Sequence, residues 1–91
     1  MVETVLYASV DRKFRRVGVV SSVVRLSDDL PTWLRFNFDN PHDIPCDVGE
    51  YRVVSSDGMD LLFPALYLGR DEHSHIFSLS GPTTNLSLPD S

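Results

Sequence analysis

The sequence predicts a small all-β protein, a single-domain β-barrel of about six short antiparallel strands, with a β-sandwich as the alternative arrangement. Three observations lead there. Residues 48–68 hold two apolar runs joined at Asp57-Gly58. Asp-Gly between such runs is a strong short-range hairpin signal, because Gly adopts the positive φ that a primed turn requires. Short runs of β-branched and aromatic residues recur along the chain with turn residues between them, the spacing of a barrel or sandwich. No helix is convincing: Ser27-Asp28-Asp29 starts like one, but Pro31 follows too soon. A barrel is preferred because closure removes exposed strand edges.

The elements follow in order. Residues 2–10 are rich in β-branched and aromatic types and read as a first strand. Asp11 to Lys13 form a polar turn. Residues 14–26 are a long Val-rich run in which Gly18 and Ser21-Ser22 mark a bulge or bend, as corners of small barrels require. Residues 27–31 turn, and residues 32–38 alternate cleanly. The segment 39–49 is the longest loop; Pro41, Pro45 and several Asx residues forbid regular structure there. Residues 50–55 and 59–68 form the Asp57-Gly58 hairpin, 69–73 turn, and 74–80 make the sixth strand. The domain is expected over 1–80, followed by an extended C-terminal tail over 81–91.

Ninety-one residues make one core. That core is thin, and association with a partner is an expected source of stability. The single cysteine, Cys46, excludes an intrachain disulfide and so a secreted disulfide scaffold. The first residues carry neither a basic region nor a long apolar run, so no secretory leader is expected. No run approaches a transmembrane helix. A net charge of −5 argues against a general nucleic-acid binder, which needs a basic face.

Strand faces point to surface function. In the third strand Leu34, Phe36 and Phe38 share the core face, which leaves Trp33 on the polar face with Arg35 and Asn37. Trp33 either covers a barrel end or anchors a partner. The fifth strand is apolar on both faces: Leu61, Phe63, Ala65 and Tyr67 on one, Leu62, Pro64, Leu66 and Leu68 on the other. Pro64 lacks an N–H, so this strand is expected at an edge or with a bulge. Its second face is covered either by the tail or by an assembly. In the tail, Leu86 and Leu88 alternate with polar residues, the spacing of an arm laid on a neighbour or of a disordered end. The partner-binding residues expected are therefore Trp33, Leu62, Leu66, Leu68, Leu86 and Leu88.

Catalytic and metal signals are weak. His73 and His75, two apart on a strand, point to one side, but two imidazoles do not complete a site. Asp39, Asp43, Asp47 and Glu50 match no calcium loop. Cys46 lies near His42 and Asp43 with no orienting framework, and Asp47 raises its pKa. Arg12, Lys13, Arg15 and Arg16 surround Phe14, a cluster suited to an acidic protein surface more than to a phosphate backbone. No phosphate loop and no Gly-x-Ser-x-Gly are present. The expectation is a protein that is not an enzyme and needs no cofactor.

Leu34-Arg35-Phe36, a loop bounded by Pro41 and Pro45, Gly49-Glu50-Tyr51-Arg52, and an aliphatic strand from Leu61 to Gly69 resemble an uncharacterised family of small bacterial β proteins found beside phage tail-collar genes. The resemblance covers about half the chain and implies a phage or prophage structural setting. The expectation it carries is a virion accessory protein of the tail or baseplate, the head–tail joint or the capsid surface. Its partners would be other virion proteins or further copies of itself, with neither membrane nor nucleic acid. The alternative is a small acidic phage-encoded inhibitor or adaptor that binds a protein in the host cytoplasm through the loop 39–50.

Overall fold

The computed structural model describes residues 2–27, 29, 31–39, 44 and 49–86. It is all-β. Six strands, β1 (Thr4–Val10), β2 (Lys13–Arg25), β3 (Trp33–Phe38), β4 (Glu50–Ser55), β5 (Asp60–Asp71) and β6 (Ser74–Leu79), close into an antiparallel barrel. A short seventh strand, β7 (Thr84–Asn85), pairs with β5 at Leu61 and Leu62. The order β4-β1-β2-β3 is a Greek key: three hairpin-linked strands, with the fourth returning beside the first. The β4–β5 pairing closes the circle.

Two long strands make the closure possible. β2 pairs with β1 up to Val20 and with β3 from Val20 onward. β5 pairs with β4 up to Pro64 and with β6 from Ala65 onward. Each therefore passes from one half of the barrel wall to the other. Bulges supply the bending. One falls where Leu6 and Tyr7 face Gly18 and Arg16, and one where the pairing skips Ser21. These are the positions at which Gly18 and Ser21-Ser22 foretold a bend. A third bulge, at Leu68, lies between Tyr67 and Gly69.

Pro64 is not on an edge strand. It sits where β5 changes partners, and there Ser80 donates its N–H to the Pro64 carbonyl at 3.1 Å while Ala65 donates to Gly49. The ladder with β6 runs out at this point, so the missing proline N–H forfeits one bond at most.

Turn chemistry departs from expectation at the hairpin that the sequence marks most strongly. Asp57-Gly58 does close β4 onto β5, but Asp57 does not take positive φ. Gly58 donates to the Ser55 carbonyl, Ser55 donates to the Met59 carbonyl, and Gly58 alone takes φ of 107°. This is a three-residue loop of the turn-plus-glycine-bulge kind. The Ser55 hydroxyl and the Asp57 carboxylate bond across it. The primed pattern appears instead at the β1–β2 turn, where Asp11 and Arg12 both take positive φ.

The core is an aromatic cluster. Phe77 is fully buried and meets Phe36 (5.4 Å), Tyr51 (4.6 Å), Phe63 (6.3 Å) and Tyr67 (5.5 Å) between ring centroids. Phe36 and Phe63 stack at 5.8 Å. Leu6, Ala8, Val17, Val53 and Ala65 fill the space between rings and wall. Such ring pairs add about 0.5–1.5 kcal/mol each beyond the area they bury.

Two outcomes follow from this packing. Gly69 takes φ of 141° at the third bulge, and a Cβ there would meet nothing within 4 Å. Gly69→Ala is therefore expected to cost about 1–2 kcal/mol through backbone strain alone, read from urea unfolding, with Gly49→Ala costing much less. Burial, reinforced by Tyr67, pushes the Tyr51 phenol up to about 12. The unfolded phenol ionises near pH 10 while the folded one stays neutral, so Tyr51 withdraws stability as pH rises from about 10 to 12. Tyr51→Phe should flatten that part of the stability curve.

Candidate functional site

In register, the outer face of β2, β3, β6 and β5 carries successive rows. Leu26 donates its N–H to Trp33, Trp33 lies opposite Ser78, and Ser78 lies opposite Leu66. Beside this row run Val24, Arg35 and Ile76, with Leu68 bulging from β5 next to Ile76. Paired residues point to the same side of a sheet, so these side chains share one surface. Leu66 is 63% exposed and Trp33 44%. Ser78 between them is small and buried. The exposed portions amount to a patch on the order of 400 Å², a size at which apolar surface marks an interaction site.

Arg35 lies within this patch. Its guanidinium comes within 3.8 Å of Asp71, an open pair of small energetic value. Its Nε is buried and has no hydrogen-bond partner among the described residues. A buried donor left unmatched costs about 1–3 kcal/mol.

Of the residues expected to bind a partner, the fold brings together Trp33, Leu66 and Leu68. Leu62 is separate: it is half-buried on the first half of β5, between Arg52 of β4 and Thr84 of β7. Leu86 donates its N–H to the carbonyl of Asp60, the first residue of β5. Leu88 lies outside the described residues. Among the described residues the tail pairs with β5 at Leu61 and Leu62 and bonds Asp60, while Leu66 and Leu68 stay exposed. Val24, Leu26 and Ile76 complete the patch and were not foreseen. Their facing depends on the bulge at Ser21 and on the pairing of β6, neither of which alternation within one strand reveals.

The two histidines part company. His73 sits exposed in the turn between β5 and β6, whereas His75 is fully buried on β6. Its Nδ1 is 2.8 Å from the Tyr67 hydroxyl, and its ring meets Phe38 edge-on at 5.2 Å. His75 is a core residue. Among the described residues no three His, Cys, Asp or Glu side chains converge. His42, Asp43, Cys46 and Asp47 lie outside the described residues.

A second surface lies on the outer face of β1, β2 and β4. Tyr7, Phe14, Arg52 and Val54 line a recess of about 240 Å³. The Arg52 guanidinium sits 5.5 Å from the centre of the Phe14 ring and binds Asp60 through two hydrogen bonds, Nε to Oδ1 at 2.7 Å. Arg52 is thereby fixed rather than free for a ligand. The hydrogen bonds hold the Asp60 carboxyl below its ordinary range and raise the Arg52 guanidinium.

The sign of that linkage defines a test. A carboxyl whose folded pKa is depressed contributes stability that is fully present above about pH 5 and is lost as pH falls through 4 and below. Asp60→Asn should cost about 0.5–1 kcal/mol at pH 7, the value of a partly exposed pair. The gap from the parent protein should close in urea melts taken at successively lower pH.

Comparison of the chain with known proteins finds no matching family model, no matching curated protein and no matching solved structure.

Proposed function

We propose that this protein is a non-catalytic structural module that joins a symmetric assembly through the outer face of β2, β3, β6 and β5, and that the assembly is a bacteriophage particle. The observation that carries the binding role is the clustering of Trp33, Leu66 and Leu68 with Val24, Leu26 and Ile76 on one surface. Tryptophan within an exposed apolar patch is the composition of an interface hot spot. A docked surface that offers an acceptor near Arg35 also offsets the cost of its unmatched donor. The aromatic cluster fills the middle of the barrel, in keeping with a role carried by the surface. The phage setting rests on the resemblance of residues 34–69 to small β proteins encoded beside tail-collar genes. Small accessory β proteins of the tail or baseplate, the head–tail joint and the capsid surface share this profile, and the location is then the virion.

Alanine substitutions separate this reading from a structural role for the same residues. Leu66→Ala and Trp33→Ala remove exposed side chains, so each should change folding stability by less than about 1 kcal/mol. Each should lower incorporation into particles by about tenfold or more, as loss of a hot-spot side chain does. Leu62→Ala, off the patch, should be incorporated like the parent protein. Equal incorporation of all three, measured by quantitative mass spectrometry of purified particles, overturns the proposal.

A further inference from the structure

The two free edges of β2 differ. Between Lys13 and Val19 the edge away from β1 carries no strand among the described residues, but Lys13, Arg15 and Arg16 discourage pairing there. Past Val20 the strand leaves β1 for β3, and its opposite edge from Ser21 to Val24 also carries no strand among the described residues. That stretch is Ser-Ser-Val-Val and bears no charge. Its backbone polarity follows from the ladder. Leu26 bonds Trp33 on β3, and bonded pairs recur at every second residue. Val24 and Ser22 therefore face β3, and the Val23 N–H and C=O face away from it.

Two recesses flank this edge. On the inner side the barrel mouth opens into about 250 Å³ lined by Val23, Leu34, Phe36, Val53, Leu61 and Phe63, with scarcely any polar surface. Val23 lies opposite buried Phe36 yet is 48% exposed, at the rim of the mouth. On the outer side the parting of β1 and β2 leaves a cleft of about 430 Å³ lined by Val2, Glu3, Val19, Val20, Ser21 and Asp39. Glu3 and Asp39 are both exposed carboxylates.

We propose that this split is a strand-addition site for an extended peptide segment of a partner protein. The segment pairs with β2 along Ser21–Val24, sets an aliphatic or aromatic side chain into the mouth beside Val23, and places a lysine or arginine against Glu3 and Asp39. Each part answers one feature on the page. The open backbone edge selects an extended chain over a helix, because main-chain bonds supply the affinity. Successive residues of a strand face opposite sides, so apolar and basic residues must alternate in the segment. The apolar mouth has the volume of one large side chain with room to spare. The carboxylates set the sign of the charge, in keeping with a chain of net charge −5. The site shares only Val24 with the Trp33–Leu66 face and uses the backbone edge there, not the exposed side chains of that face, so it stands or falls independently of that reading.

The test uses a capped eight-residue peptide alternating valine with lysine and carrying leucine at its centre, titrated into isotope-labelled protein. Amide signals of Val23, Val53 and Leu61 should move, and the Val23 amide should exchange with deuterated solvent at least about tenfold more slowly. A twin N-methylated at every amide should leave these signals in place, and a twin with glutamate for lysine should bind several-fold more weakly. Val23→Pro removes an N–H that β3 does not use, so the fold should persist while binding is lost; Glu3→Gln with Asp39→Asn should weaken binding several-fold at low salt. Undisturbed signals overturn the proposal. So does equal binding of the methylated twin, which would mark non-specific charge attraction, and so do shifts confined to Trp33 and Leu66.

Discussion

Phe77 is surrounded by rings from three other strands: Phe36 of β3, Tyr51 of β4, and Phe63 and Tyr67 of β5. A six-stranded wall has a narrow interior, and side chains must fill it without voids. Here one ring at the centre and others against it at edge-on and tilted angles do so. The rest of the molecule depends on that filling. It draws β3, β4, β5 and β6 around one point, and it leaves the interior no deep pocket. Among the described residues the mouth near Val23, where the cluster ends, is open.

Closure around this cluster requires strands that turn corners. β2 and β5 are long enough to serve both halves of the wall, and bulges bend them. The same bulges decide what faces outward. The skipped residue Ser21 resets the alternation of β2, which puts Val24 and Leu26 beside Trp33 on the outer surface. The bulge at Leu68 leaves that leucine outside, next to Ile76, and Gly69 accepts the positive φ involved. The apolar face and the split beside Val23 are both consequences of bending the wall.

Much of this was legible in the chain. The alternation of residues 33–38 separated buried Phe36 and Phe38 from exposed Trp33. Gly18 and Ser21-Ser22 marked the bends, because a strand interior tolerates them poorly unless it is bent. Asp57-Gly58 marked a hairpin, although not its turn geometry: Ser55 and Asp57 bond across the loop and favour a longer form. Other features depend on pairing between distant segments and leave no local trace. His75 looked like a partner of His73, yet its burial follows from the register that sets β6 against Tyr67 and Phe38. Pro64 suggested an edge, since the sequence does not show that β5 changes neighbours at that residue. The pairing of Thr84 and Asn85 with β5 was hidden because two polar residues carry no strand pattern.

The central claim is that the face bearing Trp33 is covered when the protein performs its role. Trp33 is the sole tryptophan, so its emission reports on that face directly. Fluorescence of the free protein and of the protein assembled with its partner, each with and without iodide as quencher, tests the claim most directly. The account predicts solvent-exposed, readily quenched emission in the free protein, and a blue-shifted emission resistant to iodide in the assembly. Emission in the assembly that stays red and fully quenchable would contradict it.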